Sequence, residues 1–361
     1  MKVVSIVGAR PQFIKEAVVG SEIRKAGMEE ILVHTGQHYD SNMSGVFFEQ
    51  LEMKKPEYNL EIGSGSHGFQ TGLGMIKLEE VVLAEKPDCL LVYGDTNATI
   101  AGALVGAKCK VPVGHVEAGL RQFPKDMPEE INRVVTDHVS HWLFCPSRLA
   151  MENLETEGIG KKGIFVGDVM LDLFKRMVPF FDGTAVLSKQ ELEPGDFILA
   201  TIHRDFNTDT RDRLEPILKA LAMISQKTPV LFPLHPRTKK AIEKFGLESL
   251  VKGISLIEPV SYLEMMGLLK ESSFLITDSG GLQKEAYFAG KRALVLMEDS
   301  GWRELVDAGW NLLCGTDEAE IVRKALQLGK AVPVPQGIYG NGDASEKIAS
   351  FLQQKFREVP H

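Results

Sequence analysis

A glycine-rich turn between a predicted buried strand and a predicted helix is the first candidate for chemistry. It consists of Asp278, Ser279, Gly280 and Gly281. The first N–H groups of a helix have no partner within the helix and, together with the helix dipole, they attract anions. Ser279 adds a hydroxyl donor, and glycine lets a phosphate approach the backbone. The turn is therefore a candidate phosphate site, although an ordinary helix start with a Ser or Asp N-cap has the same residues.

Three further residues could contact the ligand of such a site. Glu285 lies one turn into the same predicted helix and could accept hydrogen bonds from ribose hydroxyls. Arg10 and Lys15 lie at the start of the first predicted helix, where the helix dipole disfavours cations, so they suggest an anionic ligand nearby. The alternative for all three is a solvated charge on a helix surface.

Acidic residues follow predicted strands in the first half of the chain. Asp95 and Glu117 each come after a buried strand, where catalytic groups of parallel sheets gather. Several carboxylates in one cleft raise one another's pKa, as acid–base catalysis near neutral pH requires. Glu129 and Glu130 open a helix that also carries Arg133, but acids are common at helix starts.

Two histidines follow predicted strands in the second half. His203 is followed by Arg204, and His235 by Pro236 and Arg237. Each histidine could donate a hydrogen bond to a diphosphate. A packed or capping role is the commoner one for a single histidine.

Two other patterns resemble cofactor sites. His34, His38 and Asp40 have a spacing like that of metal ligands, but an intervening glycine and the strand-end position argue against one shared helix face, so no zinc site is predicted. Residues 63–68 match the glycine pattern of NAD-binding loops. That pattern normally closes the first strand, which here ends at Gly8, so NAD binding is the weaker alternative.

The elements that must position these residues are short apolar runs that alternate with longer helical patterns. Strands covered by helices on both faces read as continuous apolar runs. The alternation therefore predicts an α/β fold with doubly wound parallel sheets. Strands are predicted at residues 3–7, 31–34, 89–93, 113–116, 142–145, 164–166, 197–201, 230–233, 255–257, 274–277 and 293–295, and helices include residues 14–26, 74–85, 98–107 and 129–139.

The strand–helix pattern restarts after residues 167–169, and 361 residues exceed the usual size of one domain. We predict two Rossmann-like domains, residues 1–168 and 169–340, and a C-terminal helix in residues 341–361 that packs back on the first domain. Ligands of such sheets bind at the carboxyl ends of the strands, so we expect the active site in the cleft between the domains.

Composition and charge restrict the class of partner. A net charge of −8 argues against nucleic acid or an anionic membrane surface. No segment approaches the ~20 apolar residues of a membrane span, and the N-terminal apolar run is too short for a signal peptide. The four cysteines are far apart, which fits neither a disulfide framework nor a thiolate zinc site. We therefore expect a cytoplasmic protein.

Nine segments together resemble the non-hydrolysing UDP-N-acetylglucosamine 2-epimerases. The resemblance implies a glycosyltransferase-B-like pair of Rossmann domains that interconverts UDP-GlcNAc and UDP-ManNAc without NAD or metal, usually as a homodimer. The segments occur in family order over residues 1 to about 340: GARPQFIK, HTGQHYD, YGDTNAT, HVEAGLR, MPEEINR, FCPS, VGDVMLD, the HR of residues 203–204, and DSGGLQKEA.

The reaction that this resemblance implies is elimination followed by re-addition. A base removes the C2 proton while UDP leaves C1, and UDP returns to the glycal after protonation on the opposite face. Cations must hold the diphosphate, because charge grows on it as the C1–O bond breaks. The resemblance assigns the catalytic carboxylates to Asp95, Glu117 and Glu129, and places Arg133 near the phosphates. It assigns the contacts to UDP to the residues Arg10, Lys15, His203, Ser279, Gly280 and Glu285. We count His203 among the catalytic residues as well, and the sequence pattern adds His235 and Gly281 to the predicted substrate-binding residues.

The resemblance breaks at residues 297–301, where the family usually has an Arg and a Thr-Glu pair. This region is implied to face the sugar. The alternative substrate is UDP-2,3-diacetamido-2,3-dideoxyglucuronate. The segments that resemble the epimerases of this sugar nucleotide are GARPQF, SGSHGFQTG and the pair Trp302 and Trp310. Two further reaction types stay open for this sequence: sugar transfer by a glycosyltransferase of the same fold, and hydrolysis that releases ManNAc and UDP.

Overall fold

Two parallel β-sheets, each with its own core, form the framework of the chain. The computed structural model describes residues 1–36, 53–122, 125–329 and 332–357. Packing divides the chain into two units. The first unit comprises Met1–Lys175 and Gly337–His361, and the second comprises Arg176–Gln336.

The sheet of the first unit has seven strands in the order β3-β2-β1-β4-β5-β6-β7, all paired in parallel. The chain order reverses between β1 and β4, and this switch point is where such sheets bind ligands. The strands are β1 (Lys2–Val7), β2 (Glu29–His34), β3 (Tyr58–Asn59), β4 (Cys89–Tyr93), β5 (Val113–Val116), β6 (Trp142–Cys145) and β7 (Gly163–Phe165).

The sheet of the second unit repeats the arrangement with six parallel strands in the order β10-β9-β8-β11-β12-β13. Its switch point lies between β8 and β11. The strands are β8 (Ile198–Thr201), β9 (Val230–Pro233), β10 (Ser255–Ile257), β11 (Leu275–Thr277), β12 (Ala293–Val295) and β13 (Asn311–Leu313).

Helices connect the strands and cover both sheets, because parallel strands need crossover connections. No helix within the described ranges has the length and apolarity that crossing a membrane requires. The α-helices are α1 (Arg10–Lys25), α2 (His67–Glu85), α3 (Asn97–Cys109), α4 (Pro128–Val139), α5 (Arg148–Thr156), α6 (Val169–Met177), α7 (Thr184–Lys189), α8 (Asp205–Thr208), α9 (Arg211–Ser225), α10 (Pro236–Phe245), α11 (Tyr262–Glu271), α12 (Gly280–Phe288), α13 (Arg303–Asp307), α14 (Glu318–Leu328) and α15 (Ala344–Arg357).

The predicted fold class is confirmed, since both sheets have the Rossmann strand order. Most predicted strands match the observed ones within a residue or two. Strand β13 was not predicted, because the polar Asn311 interrupts its short apolar run. The glycine-rich residues 63–68 follow β3, an edge strand, and Ser66 caps α2 by accepting a hydrogen bond from Phe69 N (3.3 Å). They therefore do not lie at the end of the first strand, where a dinucleotide loop is found.

The C-terminal helix α15 packs on the first unit. Its first turn is held by the buried carboxylate of Asp172 in α6, which accepts hydrogen bonds from Ala344 N (3.2 Å), Ser345 N (2.7 Å) and Ser345 Oγ (2.6 Å). Further along the helix, the ring of Phe351 packs edge-on against Trp142 of β6, with centroids 5.7 Å apart. The last described helix is thus part of the same unit as β1 to β7.

Candidate active site

A buried glutamine connects the two loops at the switch point of the first unit. Gln12 is 2% exposed, and its Oε1 accepts hydrogen bonds from Gly8 N (2.7 Å) and Ala9 N (3.1 Å). Its Nε2 donates to Tyr93 O and to Thr99 Oγ1 (2.8 Å). The ends of β1 and β4 are therefore fixed to each other by one side chain. Gln12 was not predicted as a site residue. The only signal in the sequence was its position between Arg10 and Lys15, the two cations predicted to bind an anionic ligand.

Lys15 of α1 and Glu117, at the end of β5, form an ion pair at this switch point. Their side chains are only 11% and 10% exposed. A Cβ on Gly94 would lie 3.4 Å from Glu117 Oε2 and 3.6 Å from Lys15 Nζ, so the pair lies against the loop that precedes Asp95. Glu117 has a φ of +73°, a conformation that costs a non-glycine residue about 1–3 kcal/mol and is often found at functional sites.

Asp95 is held by Arg133 of α4. Arg133 donates to Asp95 Oδ2 from Nε (3.0 Å) and Nη2 (2.7 Å), and to Glu130 Oε2 from Nη1 (2.6 Å). Burial acts to lower the pKa of Arg133, but the two carboxylates outweigh it and the pKa is raised. Asn132 also donates to Asp95 O (2.9 Å). Arg133, which the sequence predicts to bind substrate, therefore contacts the candidate catalytic carboxylate of Asp95 in this structure.

The other two predicted residues of this unit are exposed. Glu129 lies in the first turn of α4, and Arg10 is the first residue of α1. The neighbour of Glu129, Glu130, is 3% exposed and binds Arg133 instead. Sequence reasoning gave Glu130 no role. Its spacing of three residues from Arg133 was the available signal, because such residues share a helix face.

In the second unit, the carboxylate of Asp278 connects the loop after β8 to the start of α12. Asp278 is fully buried and accepts hydrogen bonds from His203 N (3.0 Å), Arg204 N (3.0 Å) and Asn207 Nδ2 (3.2 Å). Ser279 N donates to Thr277 Oγ1 (2.9 Å). The aspartate of the glycine-rich turn therefore shapes the loop that carries His203.

The start of α12 has the features of an anion site. Ser279 is the N-cap and makes no side-chain capping bond, and Gly280 and Gly281 are the first helical residues. A Cβ on Gly281 would meet no atom within 4 Å, so the space beside it is open. A Cβ on Gly280 would lie 3.8 Å from Arg204 Nη2, which brings a cation to the helix start. Such an arrangement suits a phosphate.

The segment at which the family resemblance breaks packs on the same helix. Met297 Sδ lies 3.8 Å from Gln283 Nε2, and Ser300 Oγ donates to Gln283 Oε1 (2.7 Å). The indole N–H of Trp302 donates to Gly280 O (2.7 Å). Lys284 places its ammonium 4.0 Å from the centre of the Trp302 ring, within the range of a cation–π interaction.

His203 and His235 lie side by side. Their ring centroids are 5.4 Å apart, and His203 Nδ1 is 3.7 Å from Asp278 Oδ1. Burial lowers the pKa of His203, with a smaller contribution in the same direction from Arg204 and an opposing one from Asp278. His235 caps α10, because its Nδ1 accepts a hydrogen bond from Arg237 N (3.2 Å). The structure thus gives His235 a capping contact and leaves His203 beside the candidate phosphate site.

Glu285 lies half-buried in α12, beside Tyr262 of α11. Burial raises the pKa of Glu285, while Tyr262 and Lys284 act in the opposite direction. Burial, together with the Glu285 carboxylate, also raises the pKa of Tyr262. A carboxyl group in these surroundings suits neutral hydroxyl groups better than cations.

Of the three residues whose spacing resembles that of metal ligands, His34, His38 and Asp40, only His34 lies within the described residues. His34 is fully buried, its ring lies 4.7 Å from the ring of Phe13, and its Nδ1 lies 3.4 Å from Asn59 Oδ1. His38 and Asp40 lie outside the described residues. Within the described ranges, no group of three or more His, Cys, Asp or Glu side chains could hold a metal ion.

The fold and the site together define the class of protein to which the chain belongs, beginning with its two Rossmann-type units. One unit has cation–carboxylate pairs at its switch point, and the other has an open helix start beside an arginine and a histidine. This is the glycosyltransferase-B-like architecture of enzymes that act on nucleotide sugars. Comparison with known proteins gives the family within that class.

The family model for UDP-N-acetylglucosamine 2-epimerase matches residues 21–353. A UDP-N-acetylglucosamine 2-epimerase homolog of Methanococcus maripaludis is 48% identical over 98% of this chain and 99% of its own. The UDP-2,3-diacetamido-2,3-dideoxy-D-glucuronate 2-epimerase of Pseudomonas aeruginosa is also 48% identical, over 98% and 99%. The chain belongs to the UDP-N-acetylglucosamine 2-epimerase family, and it is an isomerase.

A solved structure agrees with this assignment. The crystal structure of Methanocaldococcus jannaschii UDP-GlcNAc 2-epimerase in complex with UDP-GlcNAc and UDP has a TM-score of 0.83 and 38% identity, and the match covers 98% of this chain and 100% of that one. The resemblance stated from the sequence motifs is thereby confirmed. The relatives differ in the sugar that their names give, so they leave the substrate open.

Proposed function

We propose that this protein inverts C2 of a UDP-2-acetamido sugar by eliminating UDP and adding it back to a glycal. The observation that carries the proposal is the pairing of two candidate carboxylates with cations at one switch point, Glu117 with Lys15 and Asp95 with Arg133. A neighbouring cation favours the ionised form of a carboxylate, which is the form that accepts a proton. Two such groups suit a reaction that removes a proton from C2 on one face and returns one on the other.

The second unit supplies the groups that the leaving UDP needs. Negative charge grows on the diphosphate as the C1–O bond breaks, and the N–H groups at the start of α12, with Ser279 and Arg204, would stabilise it. His203 would donate to the diphosphate, and Glu285 would accept from the ribose. The proposal requires that the groups of both units act on one substrate molecule. No step requires NAD or a metal ion.

We infer that UDP-2,3-diacetamido-2,3-dideoxyglucuronate is a better substrate than UDP-GlcNAc. The nine sequence segments taken together had favoured UDP-GlcNAc. The supporting observations are the segments GARPQF and SGSHGFQTG, which resemble the epimerases of that sugar, and the 48% identity with the P. aeruginosa relative named for it. The M. maripaludis UDP-N-acetylglucosamine 2-epimerase homolog is equally similar, at 48%, whereas the M. jannaschii UDP-GlcNAc 2-epimerase is 38% identical. Residues 297–302 pack on α12, so the part of the chain that departs from the family motif adjoins the candidate diphosphate site.

The test is incubation of the purified chain with each UDP sugar in deuterated water. We expect deuterium at C2, both C2 epimers in the NMR spectrum, and faster exchange with the diacetamido sugar. UDP accumulating in proportion to sugar release would instead identify a hydrolysing enzyme. UDP release that depends on an added acceptor, without exchange at C2, would identify a glycosyltransferase. Absence of exchange with both sugars would contradict the proposal.

A further inference from the structure

A buried ion pair lies beneath the loops that carry the candidate carboxylates Asp95 and Glu117. Its members are His115 of β5 and Asp137 of α4, both fully buried. The distance from His115 Nδ1 to Asp137 Oδ1 is 2.7 Å. On the other side of the ring, His115 Nε2 lies 2.8 Å from the carbonyl oxygen of Gly94, the residue directly before Asp95.

The partners of this histidine define its protonation. A carbonyl oxygen only accepts hydrogen bonds, so Nε2 of His115 carries a proton. Burial acts to raise the pKa of Asp137, but His115 and Arg121 outweigh burial and the pKa is lowered, so Asp137 is ionised and accepts from Nδ1. His115 therefore donates from both nitrogens and is positively charged. Arg121 continues the chain of charges from Asp137 (2.8 Å) to Glu157 (2.6 Å).

The same pair holds the backbone on both sides of Glu117. His115 is two residues before Glu117, and Asp137 Oδ2 accepts a hydrogen bond from Gly119 N (3.1 Å), two residues after it. Both Glu117 and Gly119 have positive φ, +73° and +78°. A Cβ at Gly119 would lie 2.4 Å from Ala150 O, so this turn accepts only glycine. A strained turn persists only where its surroundings fix it, and this ion pair does so.

We propose that His115 and Asp137 are positioning residues, which hold Asp95 and Glu117 in the geometry for proton transfer at C2 without contacting the substrate. The inference rests on the proposed function. A positive charge beneath Gly94 also favours the ionised form of nearby carboxylates. The effect is confined to the chemical step, because the groups proposed to hold UDP belong to the other unit.

The first test is His115→Gln, which can still donate to Gly94 O but carries no charge. Small misplacements of catalytic groups cost about 100-fold, so we expect a loss of that size in kcat for epimerisation. We expect KM to change by less than about twofold, because ground-state binding is unaffected. The acid limb of the kcat–pH profile moves to higher pH, because the candidate carboxylates lose a positive charge and Asp137 keeps only Arg121 as a cationic partner.

A near-isosteric variant and a matched control complete the design. Asp137→Asn keeps a donor facing His115 Nδ1 and removes both charges of the pair, so its net charge stays the same. We therefore expect a smaller loss in kcat and a smaller shift of the acid limb than in His115→Gln. This variant tests the inference even if His115→Gln does not fold. His141→Gln is the control, because His141 is exposed at the other end of β5 and accepts a hydrogen bond only from Val113 N (3.3 Å) among the described contacts. We expect its kinetics to equal those of the wild type.

A purely structural role gives a different result. In that case kcat would fall in proportion to the folded fraction measured by circular dichroism, and the pH profile would keep its position. That outcome, or a kcat for His115→Gln within about twofold of wild type, overturns the inference. If the wild type itself exchanges no deuterium at C2 with either sugar, the proposed function fails, and this inference fails with it.

Discussion

At the scale of single residues, each candidate carboxylate of the first unit is paired with a cation from a different element. Lys15 of α1 contacts Glu117, and Arg133 of α4 contacts Asp95. Both cations are largely shielded from water, so removing the carboxylate partner leaves a charge that the protein cannot easily accommodate. Proton transfer is therefore expected to depend on these side chains more than on exposed acids such as Glu129.

Replacing Glu117 with Gln keeps the shape of the side chain and removes the proton acceptor. We expect C2 exchange to slow about 10²–10⁴-fold, the usual contribution of a positioned acid or base. Affinity for UDP should stay the same, because the proposed diphosphate site lies in the other unit. NMR in deuterated water measures the exchange, and calorimetry measures UDP binding. Glu80→Gln, on the exposed side of α2, serves as the control, and undiminished exchange in Glu117→Gln would contradict the catalytic role.

At the scale of elements, two buried carboxylates lie where helices and loops meet the sheets, and they are held differently. Asp278 holds the loop after β8 against the start of α12. Glu16 of α1 lies against Glu30 of β2, because carboxylate oxygens of both would lie within about 2.6 Å of a Cβ at Gly20. The first carboxylate accepts hydrogen bonds from backbone N–H groups. The second carboxylate belongs to a crowded pair of like groups, Glu16 and Glu30.

Asp278→Ala leaves the N–H groups of His203 and Arg204 without their acceptor. We expect a loss of about 1–3 kcal/mol in the free energy of unfolding, the cost of unsatisfied buried donors. UDP affinity should fall as well, because the loop that carries His203 loses its support. Urea unfolding and calorimetry measure the two effects. Asp307→Ala, at an exposed site, should change neither, and wild-type stability of Asp278→Ala would refute the role.

Glu16 makes the stability of the chain depend on pH. Burial, and then Glu30, raises the pKa of Glu16 well above its usual value, while Arg24 and Lys54 act in the opposite direction. A group whose pKa is raised by folding contributes its stability below the unfolded pKa and loses it as pH rises toward the folded one. Stability should therefore decline above about pH 4.5, by at most about 1.4 kcal/mol per pH unit for one proton.

Glu16→Gln replaces the titrating carboxyl group with an amide that does not ionise, so this side chain no longer makes the free energy of unfolding depend on pH. We expect its advantage over the wild type in unfolding free energy to grow as pH rises from 5 to 8, on the scale set by ~1.4 kcal/mol per unit. Urea unfolding at several pH values measures the difference. The exposed variant Glu80→Gln should run parallel to the wild type. A constant offset for Glu16→Gln across this range would mean that the pKa of Glu16 is not raised.

At the scale of the whole molecule, the described chain consists of two Rossmann-type units, and the first includes a helix from the C-terminal end. Helix α15 belongs to the first unit although the residues of the second unit separate it from β7 in sequence. Asp172 provides the link, because it accepts three hydrogen bonds from the first turn of α15. The first unit therefore needs both ends of the chain.

Asp172→Ala removes the acceptor at the start of α15. We expect a loss of about 1 kcal/mol or somewhat more, as for helix caps in general. Hydrogen exchange should accelerate in residues 344–357 and stay unchanged in α12, which belongs to the other unit and is the internal control. Mass spectrometry of proteolytic fragments measures both. Equal acceleration in both helices would mean that the carboxylate stabilises the whole chain rather than this helix.

The sequence by itself determined the fold class and most strands. Cys89–Tyr93, Val113–Val116 and Trp142–Cys145 were predicted with the bounds observed, because a strand covered on both faces must be apolar throughout. It also determined the family, through motifs that occur in order along the chain. Strand β13 escaped prediction because the polar Asn311 interrupts its apolar run, and its place in the sheet comes from pairing with β12.

Only the tertiary structure decided which candidate residues meet. Lys15 and Glu117 are 102 residues apart, and Asp278 reaches the backbone of His203 across 75. Crossover connections bring the ends of parallel strands to one edge of a sheet, and sequence spacing does not record which loops become neighbours. For the same reason, the sequence indicated Asp95 and Glu117 but did not single out Gln12 or the pair His115 and Asp137. Buried polar partners become recognisable only when the surrounding atoms that they satisfy are known.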